Sequence, residues 1–312
     1  MPPFVTVMIP TRGRPQSLAR AARSVFAQTC LPEGGVELLV VDNDAGRGAE
    51  ATVDALRAEA PFPVRYLCEP VPGVATTRNR GVANITAEFI AFLDDDEEAP
   101  PGWLAALLQA QARFDADAVF GPVRTSLPDH VRRHRPYFER FFAREGPKET
   151  QLLDHYYGCG DSLIRRAALP HPTAPFDMKH NEFGGEDDRL FQAMQARGAR
   201  FAWAADAWVW EHPDPRRLRL RYALHRAFAY GQGPTFHCMG QSPPDRLGAV
   251  RWMAVGVAQA LVFGALAALT WAARRPDRAF AMDRAARGLG KVLWFPPFKP
   301  RFYGLPADLA RG

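Results

Sequence analysis

Five consecutive acids, Asp94-Asp-Asp-Glu-Glu98, follow the apolar run Phe89-Ile-Ala-Phe-Leu93. Partly buried at the end of a strand, so many carboxylates are costly to ionise together without a counter-charge. A divalent cation supplies that charge. Hard oxygen donors suit Mg²⁺ or Mn²⁺, which take one or two carboxylates and leave other positions for water and phosphate oxygens. On an extended segment Asp94 and Asp96 point to one side and Asp95 to the other. A solvated acidic loop without metal is the plainer alternative, and the location at a strand end outweighs it. A second acidic pair, Glu186-Asp187, follows Gly184-Gly185 and opens a helical pattern. The helix dipole favours acids there, so capping accounts for them; the same dipole keeps a carboxylate ionised and ready to accept a proton. Base and cap stand even on this segment.

These residues need a frame to hold them. Short β-branched apolar runs at 4–9, 36–41, 64–67, 89–93 and 118–120 read as buried strands. Helix-period segments lie between them at 17–28, 49–60, 76–84 and 103–114, the last started by Pro100-Pro101. Strand alternating with helix predicts an α/β fold with a mainly parallel sheet and helices on both faces. Ligands of such sheets bind beyond the carboxyl ends of the strands. Three of those ends are polar: Pro10-Thr-Arg-Gly-Arg14, Asp42-Asn-Asp44 and the acidic run. Further along come Gly158-Cys-Gly-Asp-Ser-Leu-Ile-Arg-Arg166, a helix closing at Arg197-Gly198, a strand at 200–203 and the run Ala207-Trp-Val-Trp-Glu-His212. Nothing resembling a linker precedes His212, so residues 1–212 read as one domain and 213–312 as a second region.

Val7-Met-Ile-Pro-Thr-Arg12, Val40-Val-Asp-Asn-Asp44, Gly73-Val-Ala-Thr-Thr-Arg-Asn-Arg-Gly81, Phe92-Leu-Asp-Asp-Asp96, the Gly158–Arg166 segment and Gly185-Glu-Asp-Asp-Arg-Leu190 occur in a characteristic order and spacing. Each is weak alone. Jointly they resemble the family-2 glycosyltransferases, over residues 4–212. The resemblance implies a GT-A-type, Rossmann-like fold, a nucleotide-diphosphate sugar donor with a UDP-sugar expected, Mg²⁺ or Mn²⁺, and inversion at the anomeric carbon. The arrangement is also similar to bacterial exopolysaccharide enzymes of the succinoglycan glucosyltransferase type, which implies a saccharide or lipid-linked saccharide acceptor.

Carried over position by position, the resemblance puts Pro10, Thr11 and Arg12 in the nucleotide pocket, with Asp42, and Asp44 beside it, accepting hydrogen bonds from base or ribose. It sets Arg78 and Asn79 toward the nucleotide, Asp94 and Asp96 on the metal, Asp95 on the ribose, and Asp187 as catalytic base with Glu186 beside it. His212 resembles a His that some members place on the metal or diphosphate; a surface His before Pro213 fits as well. Two departures stand out. Asp42-Asn43-Asp44-Ala45 replaces the common Asp-Asp-Gly-Ser, which leaves open which carboxylate reads the base, and the Q-x-x-R-W motif of processive synthases is missing, so one sugar per binding event is expected.

The 312 residues are 47% apolar and 23% charged, which excludes disorder, collagen and coiled coil. The four cysteines are far apart, without C-x-x-C or zinc-ligand spacing, so a reducing compartment fits. The apolar stretch before Pro10 is too short for a signal peptide, and a cytoplasmic start is expected. From Trp252 to Ala273 the chain is almost wholly apolar, long enough as a helix of about 33 Å to cross a bilayer. Arg274, Arg275 and Arg278 follow it and oppose a simple crossing, which leaves a re-entrant hairpin with 279–295, a helix in the interface, or a buried helix of a soluble subdomain. Membrane association at the cytoplasmic face of the inner membrane is the expectation.

The net charge of +5 is an average of two surfaces. Residues 1–212 hold 23 basic and 29 acidic residues, net −6; residues 213–312 hold 16 and 5, net +11. An acidic first domain does not look like a nucleic-acid binder, and the basic remainder matches an anionic membrane surface or lipid diphosphate. Two rivals remain: a metal-dependent nucleotidyltransferase, since the same carboxylates would serve attack at phosphorus, and a basic nucleic-acid-binding module.

Overall fold

The computed structural model describes residues 3–181, 184–275 and 277–300. They form two compact units, one from residues up to Arg124 together with Ala143–His212, the other from Thr125–Phe142 together with Pro213–Pro300. In the first lie β1 (Val5–Thr11), α1 (Pro15–Phe26), β2 (Val36–Asp42), α2 (Glu50–Arg57), β3 (Val64–Cys68), α3 (Val74–Val82), β4 (Phe89–Phe92), β5 (Glu97–Glu98), α4 (Trp103–Phe114) and β6 (Ala118–Phe120), with β7 (Val123–Thr125) at its edge. The second contributes α5 (Arg135–Phe142); the chain then returns to the first for β8 (Gln151–Leu153), β9 (Ser162–Arg165), α6 (Glu186–Ala196), β10 (Phe201–Trp203) and β11 (Val209–Glu211). Last come α7 (Leu220–Gly240), α8 (Arg246–Ala272) and α9 (Arg278–Val292).

The main sheet runs β3-β2-β1-β4-β9-β6-β10-β8. Its β3-β2-β1-β4 half is parallel, while β9 runs antiparallel between β4 and β6. The sheet is therefore mixed beyond β4. β1 and β2 are buried along nearly their whole length, as strands covered on both faces must be. One face packs against Leu18, Val25 and Val53 of α1 and α2 and Trp103 and Leu107 of α4; the other carries Phe92, Phe120, Phe176, Phe191 and Trp203. Pro15 starts α1, where its missing N–H costs nothing. β1 has β2 on one side and β4 on the other, the strand-order reversal beside which such sheets bind ligands. Register sets Thr11 opposite Asp42 and Met8 opposite Phe92, so the acids after β4 emerge next to the end of β1.

Thr125–Phe142, which the sequence reading placed in the first domain, joins the second unit because Leu127, Tyr137, Phe138 and Phe142 bury against Ala223 and Ala279. Gly231 lies inside α7, which runs on to Gly240. A Cβ at Gly231 would lie 2.2 Å from the Arg287 carbonyl, so the glycine serves helix contact and not termination. Among the described residues one helix, α8, is long and apolar enough to cross a membrane. Most of its surface is exposed, unlike the core helix of a soluble subdomain.

Candidate active site

The polar strand ends converge. Asp95, nearly buried, accepts a hydrogen bond from Thr11 Oγ1 at 2.8 Å and one from Arg14 Nη1 at 2.7 Å; the same Arg14 nitrogen lies 3.1 Å from Asp96 Oδ2. Arg14, two residues past Arg12, is thus the cation that ties β1 to the acidic loop, while Arg12 is exposed. Burial pushes the Asp95 carboxyl up to about 7 against the pull of Arg14. Asp94 is raised too, by burial first and then by the charges of Asp96 and Asp187, opposed by Arg78. Glu97, buried behind them, is raised further by burial and Asp94; its Oε2 accepts the Asp94 N–H at 2.8 Å.

α6 brings the second acidic pair to the same place. Gly184 and Gly185 have φ of +80° and +86°, a left-handed entry that lets the chain turn into the helix. Glu186, buried, receives a hydrogen bond from Arg78 Nη1, and Arg78 Nη2 lies 3.4 Å from Asp94 Oδ1. Burial and Asp187 lift the Glu186 carboxyl to about 7 against the Arg78 charge. Asp187 Oδ2 accepts the Cys159 N–H at 3.3 Å. Between the two acids runs the Gly158-Cys159-Gly160 turn. A Cβ on Gly158 would lie 3.2 Å from Asp187 Oδ2, and one on Gly160 2.8 Å from Asp94 Oδ2 and 3.0 Å from Glu97 Oε1. The glycines let carboxylates from two distant segments close on one small volume.

That turn is held from behind by a residue the sequence did not flag. Arg144 donates to the carbonyls of Gly121 (2.8 Å), Gly158 (3.0 Å), Gly160 (2.8 Å) and Asp161 (2.8 Å). Its Nη2 also lies 3.3 Å from Asp161 Oδ2, and Asp161 Oδ1 accepts the Trp103 indole N–H at 2.7 Å. Asp161 is fully buried, and burial raises it to about 7 against Arg144. Asp161 belongs to the glycine-rich motif; Arg144 stands in no local pattern at all.

The remaining expected residues divide. Asp42 is completely buried at the end of β2; its Oδ2 accepts Ala49 N–H and Tyr66 O–H, both at 2.9 Å, while Oδ1 has no hydrogen-bond partner among the described residues. Asp44 lies in the loop beyond and accepts the Gly46 N–H at 3.0 Å. Of the two, Asp42 holds a buried oxygen without a hydrogen-bond partner among the described residues. Pro10 sits opposite Val41 in the β1–β2 ladder. Asn79 is not available as expected: its amide grips Phe176 through both backbone N–H (2.9 Å) and C=O (2.8 Å), bonds spanning 97 residues. His212 departs as well. Its N–H donates to the Asp96 carbonyl at 2.8 Å, but ring Nε2 pairs with Glu98 Oε2 at 2.9 Å, so the ring is engaged by Glu98. Asn43, not expected at all, fastens the loop after β3 through Glu69 and Val71 carbonyls and the Gly73 N–H.

Among the described residues no three His, Cys, Asp or Glu side chains form a closed metal-binding set. Asp94 and Asp96 offer two hard-oxygen donors, the number a Mg²⁺ or Mn²⁺ site completed by water and phosphate oxygens uses. Burial, with the neighbouring acids, raises Asp94, Asp95 and Glu97, and the nearby Arg14, Arg78 and Arg144 do not offset it. The residues fit such an ion.

Fold and site define an α/β protein that gathers acids from several strand and helix ends beside the strand-order switch. The model described as "Glycosyl transferase family 2" matches residues 6–171, and the chain belongs to that family. Succinoglycan biosynthesis protein ExoM of Rhizobium meliloti (strain 1021) is 32% identical over 235 residues, 73% of either chain. Pre-mycofactocin glycosyltransferase of Mycobacterium tuberculosis (strain ATCC 25618 / H37Rv) is 34% identical over 235 residues, 73% of this chain and 46% of that one. Among solved structures, mannosyltransferase PcManGT from Pyrobaculum calidifontis, in complex with GDP-Man and Mn²⁺, aligns over 94% of this chain and 88% of its own with a TM-score of 0.61 and 20% identity. The architecture is of the GT-A type.

Proposed function

We propose that the chain moves one sugar from a nucleotide-diphosphate sugar, a UDP-sugar, to a hydroxyl of a saccharide on a lipid carrier, with inversion, in exopolysaccharide synthesis. The observation that carries the reading is the closure of Asp187 and Asp94 on the Gly158–Gly160 turn, which joins a base to a diphosphate-side carboxylate. Asp187, at the start of α6, takes the proton of the acceptor hydroxyl as the hydroxyl oxygen bonds to the anomeric carbon. The bond from that carbon to the diphosphate breaks, and the electron pair leaves on the diphosphate oxygen. A single displacement inverts the centre. Asp94 and Asp96 would hold Mg²⁺ or Mn²⁺, which when bound neutralises charge on the diphosphate. Asp42, with an unspent buried oxygen, is the acceptor for the base; Asp95, set by Thr11 and Arg14, faces the ribose. Arg78 holds Glu186 and Asp94 in one frame.

The succinoglycan relative supports an exopolysaccharide product, the GDP-Man and Mn²⁺ of the mannosyltransferase support nucleotide-sugar and metal, and exposed α8 with its basic unit supports the cytoplasmic membrane face. A panel of nucleotide sugars with Mg²⁺ or Mn²⁺ tests it: release of nucleoside diphosphate is expected with one donor, and release of pyrophosphate would move the chain to the nucleotidyltransferases.

A further inference from the structure

We infer that the C-terminal unit lies in the plane of an anionic membrane surface on the apolar flank of α8, without α8 crossing the bilayer. The inference rests on the membrane reading above and adds the direction of the helix. Two sides of α8 differ. Along one, a seam of Ala249, Gly256 and Thr270 is buried. There α9 approaches backbone to backbone: a Cβ on Gly256 would stand 2.7 Å from the Gly288 carbonyl, and one on Gly288 2.6 Å from the Ala260 nitrogen. The rest of the circumference is apolar and open, with Leu261, Val262 and Leu269 at 69%, 62% and 68% exposure.

The seam fixes the level of the α9 charges. Gln259 donates to the Arg284 carbonyl at 2.7 Å and accepts from Lys291 Nζ at 3.0 Å, and the Arg284 guanidinium lies 5.2 Å from the Phe263 ring centroid. Arg284 and Lys291 thus stand beside residues 259–263, the middle of the 252–273 apolar stretch. Were α8 to span, both cations would be carried to the level of the bilayer centre, where charge is most costly. α9 cannot swing aside cheaply, because its other face is locked to α7: a Cβ on Gly290 would meet the Phe228 carbonyl at 2.0 Å, and Thr235 Oγ1 donates to the Lys291 carbonyl at 2.8 Å.

Charge at the ends of α8 points the same way. Arg246 and Arg251 stand at its start and Arg274 and Arg275 just past its end, all exposed. A span would divide them between opposite sides, against the bias of basic residues to one side. Lying flat, the helix keeps both groups at headgroup depth beside anionic lipid while the open flank enters the acyl region.

The test uses the full chain with Cys30 and Cys68 changed to Ser and one fluorophore placed through Val250→Cys, Val262→Cys or Leu269→Cys, bound to phosphatidylglycerol–phosphatidylcholine vesicles. Lipids spin-labelled at a shallow or a deep acyl carbon quench the probe. Equal quenching at all three sites, stronger from the shallow label, is expected. Deep quenching at Val262→Cys with shallow quenching at the other two would overturn the in-plane arrangement while leaving membrane binding intact. Failure to bind vesicles, with a dimer in sedimentation, would overturn the membrane reading itself and assign the flank to a second copy. Leu261→Glu with Leu269→Glu is expected to weaken vesicle binding roughly tenfold or more; unchanged binding would refute a lipid contact through this flank.

Discussion

Gly160 stands directly against Asp94, with room for no side chain: a Cβ there would fall 2.8 Å from Asp94 Oδ2. The glycine is the floor on which the carboxylate rests. Gly160→Ala must push the Asp94 carboxylate aside, at little cost in stability because that group is the end of a partly exposed side chain. Transfer is expected to fall at least about tenfold, since an ångström-scale misplacement of a reacting group costs that or more. Transfer at the parental rate would show that the placement of Asp94 by Gly160 does not matter to the reaction.

Asp187→Asn keeps the shape of the α6 entry and the Cys159 contact while removing the proton acceptor. Donor binding, followed by thermal shift with the nucleotide sugar, is expected to persist, and transfer to drop about a hundredfold to ten-thousandfold. Undiminished transfer would hand the role of base to another group.

Chelation is expected to abolish transfer, and Mg²⁺ or Mn²⁺ to restore it. Asp94→Ala should then raise the metal concentration needed by about tenfold to a hundredfold or more, a loss that removal of a supporting group alone can cause. Activity unchanged in excess chelator would remove the metal from the reaction.

Arg144 supplies hydrogen bonds to four carbonyls, and its loss takes a donor from each and the neighbouring cation from Asp161, whose side chain keeps the Trp103 N–H. Arg144→Ala is expected to cost about 3 kcal/mol or more in denaturant unfolding. Arg144→Lys should recover little of it, because one ammonium cannot reach carbonyls spread over a fork. Equal stability of all three proteins would contradict the clamp.

Asp161 makes stability depend on pH in the direction opposite to a salt-bridged surface acid. Its folded value of about 7 is above the ordinary 3.8. Between about pH 4 and 7 the folded chain holds a proton that the unfolded chain has released, so this group's contribution falls as pH rises through that window. Asp161→Asn keeps an acceptor for Trp103 and removes the titration. Denaturation midpoints measured across the window should decline less with pH in the variant; an identical slope would exclude Asp161 as the source.

Much of this molecule is legible in its sequence. Strands buried on both faces must be continuously apolar, so the runs 4–9 and 36–41 mark β1 and β2, which extend to Thr11 and Asp42. The carboxylates followed, because acids placed immediately after such runs must emerge at the carboxyl end of the sheet. Local pattern also separated the acidic first part from the basic remainder, since charge needs no geometry to be counted.

What the pattern could not decide was where each side chain spends its hydrogen bonds. Arg12 and Arg14 are equivalent as text, and only the path out of β1 turns Arg14 onto Asp95 and Asp96. Asn79 has the type and position of a ligand residue, yet Phe176, 97 residues on, consumes its amide. Arg144 has no neighbour in sequence that explains it; its partners come from Gly121 and from the Gly158–Asp161 turn. Residue type and period determined the sheet, the acids and the apolar helix, because those are set by solvent and backbone repeat. Pairings across long separations were decided by tertiary structure alone, because a hydrogen bond depends on distance and direction between groups that only folding brings together.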